Sequence, residues 1–131
     1  MNKVEIQKSI QHLLERKNEI VFAYLFGSFV EEDSYNDIDI GIFVKSNDYK
    51  EIAASKTNYD ILLALEIEKI TKTSIDIIIM NNASDQIIYS ISGGLLILNR
   101  HDDIRVDFIT QSWARYFDFR CQRNLYLQEV I

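Results

Sequence analysis

Cysteine occurs once, at Cys121, so no disulfide can close within the chain. With only two histidines, a zinc cluster is out of reach. Basic residues are in the minority: 14 Lys and Arg against 20 Asp and Glu leave a formal net charge of -6. A broad nucleic-acid surface needs stripes of Lys and Arg along the phosphate backbone, so the balance argues against that class. One small nucleotide held through a metal stays within reach. No run approaches the roughly 20 apolar residues of a membrane span. The start, Met1-Asn2-Lys3-Val4-Glu5, lacks the apolar core of a signal peptide, and a cytoplasmic protein is the expectation. Proline is absent, which excludes no function. What is present is a globular composition, 47% hydrophobic and 26% charged over 131 residues. That suits one domain with a core of ordinary size.

Hydrophobic spacing sets the order of elements. Val4, Ile6, Ile10, Leu13 and Leu14 recur at helical steps and predict a helix over residues 3–17. Ile20 to Phe26 is β-branched and aromatic, ends at Gly27, and reads as a strand. Residues 28–36 form a polar, acidic connection to a second strand, Asp37 to Val44. Ser46-Asn47-Asp48 reads as a loop. Asn58 suits the cap of a helix whose apolar positions include Ile61, Leu62, Leu65 and Ile70. Ile75 to Met80 is a third strand, and a short helix follows from Ser84 to Ser92. Gly93-Gly94 breaks that helix, and Leu95 to Leu98 is a short final strand. From Ile104 onward the chain is helical, with Val106, Ile109, Trp113 and Phe117 on one stripe. The expectation is an α/β (α+β) chain: a mixed β-sheet of about four strands with helices packed on it.

The chemistry gathers where the first strand gives way to the second. Residues i and i+2 of a strand share a face. Asp37 and Asp39 therefore project together, and Ile38 and Ile40 project into a core. Two adjacent carboxylates repel unless a cation lies between them. Mg2+ takes oxygen ligands from carboxylates and phosphates. An Asp-x-Asp by itself also suits the polar face of an edge strand, but here it follows Gly27-Ser28. Gly27 either serves as a simple turn or lets backbone amides approach a phosphate. Ser28 donates its hydroxyl to the same phosphate or to the turn. Asp76 stands inside the apolar run Ile75 to Met80, where a buried, unpartnered aspartate is costly. If its strand neighbours the second strand, three carboxylates converge.

These motifs resemble the signature of the DNA polymerase β-like nucleotidyltransferases. Leu25-Phe26-Gly27-Ser28-Phe29 through Asn36-Asp37-Ile38-Asp39-Ile40 is similar to their Gly-Ser, spacer, Asp-x-Asp pattern. Ser74-Ile75-Asp76-Ile77-Ile78 is similar to their third-carboxylate strand. Gly93 to Leu98 with the aromatic-rich helix after it resembles the closing part of MntA-type antitoxins of HEPN/MNT toxin–antitoxin pairs. The resemblance implies a minimal nucleotidyltransferase fold over residues 1–131, with AMP transferred from ATP to a tyrosine of a HEPN ribonuclease. It implies Mg2+ held by Asp37, Asp39 and Asp76, nucleotide contacts from Gly27 and Ser28, and Asp76 as base or orienter. Two alternatives are an antitoxin that neutralises by binding alone and an aminoglycoside-type enzyme acting on a small molecule. The second of these normally carries an extra substrate domain. The spacer is eight residues long where ten is common, and it carries Glu31-Glu32-Asp33, which is expected to weaken triphosphate binding.

Other residues have plainer readings. Trp113, Tyr116, Phe117 and Phe119 are core by default, with some left for a partner because they fall on more than one side of their helix. Arg115, Arg120 and Arg123 read as solvated charge, His12 and His101 as surface residues, and Cys121 as a small packing residue.

Overall fold

The first helix, α1 (Lys3–Glu15), begins where Asn2 accepts the Glu5 N–H at 2.9 Å, satisfying a donor of the first turn. It buries Ile6, Ile10, Leu13 and Leu14 along one stripe and leaves Val4 exposed. The computed structural model describes residues 1–54 and 58–130. After α1 come β1 (Ile20–Phe26), the single-turn α2 (Ser28–Glu31), β2 (Asp37–Val44), α3 (Ser46–Ala54) and α4 (Tyr59–Thr71). Then follow β3 (Ser74–Ile79), a 3-10 turn at Met80–Asn82, α5 (Asp85–Ser92), β4 (Leu95–Asn99) and α6 (Asp102–Val130).

The four strands form one sheet in the order β3-β2-β1-β4. β1 runs antiparallel to both β2 and β4, whereas β2 and β3 are parallel, so the sheet is mixed. Parallel neighbours need a crossover, and α3 with α4 supplies it. Asn81 locks the far end of the parallel pair. Its side chain accepts the Val44 N–H at 3.0 Å and donates to the Val44 carbonyl at 2.8 Å.

Alternation along β2 decides the two faces. Ile38, Ile40, Ile42 and Val44 are buried against α1 and against Leu63, Ala64 and Ile67 of α4. Each such aliphatic side chain contributes about 1.5–3 kcal/mol by leaving water. On the other face, Phe22, Tyr24, Met80, Ile88, Ile91 and Ile109 form a second cluster under α5 and α6, with Phe43 packed against it. Gly41 lies on this second face. A Cβ there would meet Ile91 Cγ2 at 2.5 Å, so the bare backbone lets α5 sit close to β2.

Several expectations need correction. Ser46-Asn47-Asp48 is the first turn of α3, not a loop. Serine, asparagine and aspartate favour turns and helix starts alike. Ser28–Glu31 of the expected connection is helical. In α4 the buried positions are Leu63, Ala64, Ile67 and Thr71, while Ile61, Leu62, Leu65 and Ile70 are exposed. That helix carries apolar residues all round, so its pattern selects no single face. Asn58 precedes α4 without a side-chain capping bond. In α6, Ile109 is buried but Val106 and Phe117 are exposed. Cys121 is exposed, on the stretch of α6 beyond Tyr116 and Phe117, whose rings pack on Tyr89 of α5 at 4.8 Å and 5.6 Å.

Candidate active site

Register brings the acidic residues together. Asp39 on β2 pairs with Asp76 on β3, and Asp37 pairs with Ser74. Neighbouring residues in register share a sheet face, so Asp37, Asp39 and Asp76 all project to the side covered by α5 and α6. The helices cover that face from Gly41 onward and leave the aspartate end open. Asp37 and Asp76 are exposed, and Asp39 is half-buried. The expected burial of Asp76 is therefore not found. It stands on an edge strand facing solvent, where an unpaired carboxylate carries little desolvation cost.

Gly27 closes the site from the other side. It ends β1 with φ 77°, a conformation L side chains rarely adopt, and starts α2. A Cβ at Gly27 would lie 2.3 Å from Asp39 Oδ2, inside contact distance. The Asp39 carboxylate thus rests directly against the glycine backbone, and Ser28 follows at the first position of α2. Phe26, the residue before Gly27, pairs across the sheet with Asp39. The Gly-Ser turn and the Asp-x-Asp strand are one local unit, with Asp76 added from the next strand.

Electrostatics mark the same point. The Asp39 carboxyl is pushed above the usual carboxylate range, first by burial and then by the charges of Asp76 and Asp37. A cation among the three would relieve the repulsion and favour the charged form of Asp39 against its burial. Three oxygen donors on one face suit a hard divalent ion such as Mg2+. Among the described residues, no three His, Cys, Asp or Glu side chains close into a ready-made cage. Mg2+ takes one or two carboxylates and completes its shell with substrate phosphates and water.

One contributor carries no sequence signal. Lys3 Nζ donates to the Phe29 carbonyl at 2.7 Å and also to the Glu32 carbonyl. The same ammonium lies over the rings of Phe29 and Tyr35, at 5.2 Å and 5.4 Å from their centroids. A basic side chain from α1 therefore ties down the acidic spacer beside the site. Between α5 and α6, Asp85 accepts from the Ser112 hydroxyl at 2.8 Å and pairs with Arg115 at 3.1 Å. These bonds, the Arg115 one foremost, hold the Asp85 carboxyl below its ordinary range. Arg115 is thus an intramolecular partner rather than free charge.

A mixed sheet with a left-handed glycine turn and three carboxylates on one open face defines the nucleotidyltransferase class of fold. Residues 8–103 match the family described as polymerase beta, nucleotidyltransferase, and the chain belongs to that family. No curated protein matches its sequence significantly. Among solved structures it is similar to a chain of the complex of a tri-AMPylated Shewanella oneidensis HEPN toxin with MNT antitoxin. There the TM-score is 0.69 at 17% identity, over 98% of each chain. A toxin–antitoxin structure with AMP-PNP gives a TM-score of 0.70 at 18% identity, over 95% of this chain and 97% of that one. A MntA–HepT toxin–antitoxin structure gives 0.65 at 16% identity, over 95% and 97%. At these identities the likeness is one of fold. Among the described residues, no helix is long and apolar enough to cross a membrane.

Proposed function

We propose that this chain is a nucleotidyltransferase that moves AMP from ATP onto a tyrosine hydroxyl of a HEPN toxin, and thereby acts as the antitoxin of the pair. The observation that carries the reading is the Asp39–Asp76 register beneath the Gly27 turn. Family membership supports the chemistry, and the structural neighbours, named for an AMPylated HEPN toxin and for AMP-PNP, support the substrates. A single small domain is part of the reading, because no second unit is needed to hold a protein acceptor.

Each residue has a stated task. The Gly27 and Ser28 backbone receives the triphosphate, since a turn without a side chain lets phosphate oxygens approach amide hydrogens. Asp37, Asp39 and Asp76 would hold Mg2+, which supplies charge neutralisation to the triphosphate and the departing pyrophosphate. The tyrosine oxygen forms a bond to the α-phosphorus, and the bond from that phosphorus to the bridging oxygen breaks. Pyrophosphate leaves, and the hydroxyl proton passes to Asp76.

The test is to incubate the chain with ATP, Mg2+ and the product of the adjacent gene, and to measure intact masses. Increments of AMP on the partner, lost with Asp39→Ala, are expected. No increment, together with rescue of cells by both wild type and Asp39→Ala, would replace catalysis by neutralisation through binding. Increments confined to an aminoglycoside would move the chain to the small-molecule class.

A further inference from the structure

We propose that the groove between α4 and the free edge of β3 docks the protein that accepts the nucleotide, by taking an extended apolar and basic segment of it. This rests on the transferase reading and adds where the acceptor chain lies. β3 has a neighbour on one side only, so its outer backbone groups offer a template to another strand. Ile75 N–H is turned outward and bonds Glu68 Oε1 at 2.9 Å. Backbone groups alternate along a strand, so Ile77 N–H points the same way.

The groove encloses about 190 Å3 and is lined by Asp60, Ile61, Leu65, Glu68 and Asp76, among others. Ile61 and Leu65 are 52% and 49% exposed, and Leu62 beside them is 54% exposed. Contiguous apolar side chains left in water mark an interaction surface. Two observations choose the occupant. The first is charge: Asp60 and Glu68 of α4 line the groove with no basic residue among its lining, so a segment bearing Lys or Arg is favoured. The second is continuity. Asp76 lines the groove and is also the register partner of Asp39, so a chain laid along β3 passes the acidic face itself.

The experiment uses the full chain with the product of the adjacent gene, ATP and Mg2+. Ile61→Glu and Leu65→Glu change exposed side chains, and unchanged melting temperatures will show that they fold. Each is expected to cut AMP transfer at least tenfold while ATP affinity stays within twofold of wild type. Leu65→Met is expected to retain transfer. Asp60→Lys is expected to weaken the complex, with a smaller loss at high salt. Wild-type transfer rates in both glutamate variants would overturn the docking site and leave the transferase reading standing. No AMP on the partner even with wild type would overturn both. If Leu65→Glu only splits a self-associated chain and transfer persists, the groove is a contact between copies and the proposal falls.

Discussion

Removing the charge of Asp39 should make the protein more stable while ending its proposed activity. Asparagine keeps the shape that rests against Gly27 and deletes the repulsion from Asp76 and Asp37. Like charges side by side on a sheet cost a few tenths to about 1 kcal/mol. Asp39 is only half-buried, so solvent screening keeps the gain in Asp39→Asn to about 0.5–1 kcal/mol. For a chain of this size that is a rise in melting temperature of about 2–4 °C in metal-free buffer at pH 7. The folded carboxyl lies above its ordinary value of 3.8. Its ionisation therefore penalises the fold; the penalty is absent below the unfolded pKa and complete above the folded one. The advantage of Asp39→Asn should shrink as pH falls through the raised folded value and be lost below the ordinary 3.8. Saturating Mg2+ and ATP should reverse the order, because a ligand at 100 times its dissociation constant adds about 2.7 kcal/mol to the wild type alone. Thermal melts in EDTA across pH, then with Mg2+ and ATP, measure each part. A variant less stable than wild type at pH 7 without metal would refute the repulsion argument.

Gly27→Ala meets both a left-handed backbone and the Asp39 oxygen, and should cost about 1–3 kcal/mol in denaturant melts. Part of that cost should disappear when Asp39→Ala is added, as a double-mutant cycle will show. Asp85→Ala strips the buried Ser112 hydroxyl of its acceptor and should destabilise by about 1–2 kcal/mol. The Asp85 contribution should be lost as pH falls through the folded pKa, below 3.8, because that carboxyl is held low. Lys3→Met removes the donor to the Phe29 and Glu32 carbonyls, and hydrogen exchange at residues 29–36 should quicken with little change elsewhere.

The strands and the site were legible for local reasons. β1 and β2 have the bounds their sequences predict, because a β-branched run meets Gly27 and an alternating run follows Asp37. Asp37 and Asp39 share a face because the strand period fixes it. What the sequence left conditional was the neighbour of β2. Nothing local says that β3 lies beside it, and only the register places Asp76 opposite Asp39. The sequence of α4 does not single out its buried face, because Ile61, Leu62, Leu63 and Leu65 surround the helix and tertiary packing chooses among them. Lys3 carries no sequence pattern, being a single lysine in a first helical turn; its role exists only where α1 passes the spacer.

The parallel pairing of β2 and β3 also bears on how the molecule comes into being. Contacts between β1 and β2 join chain neighbours across a short connection and can form early. Asp39 meets Asp76 only after the whole α3–α4 crossover has closed, a long loop whose entropy is lost before the pairing rewards it. The third carboxylate is therefore expected to join the other two late in folding. A chain still growing on the ribosome carries the Gly-Ser turn and the Asp-x-Asp strand but lacks the third acid. The proposed nucleotide chemistry therefore has to wait until β3 has been made and has docked.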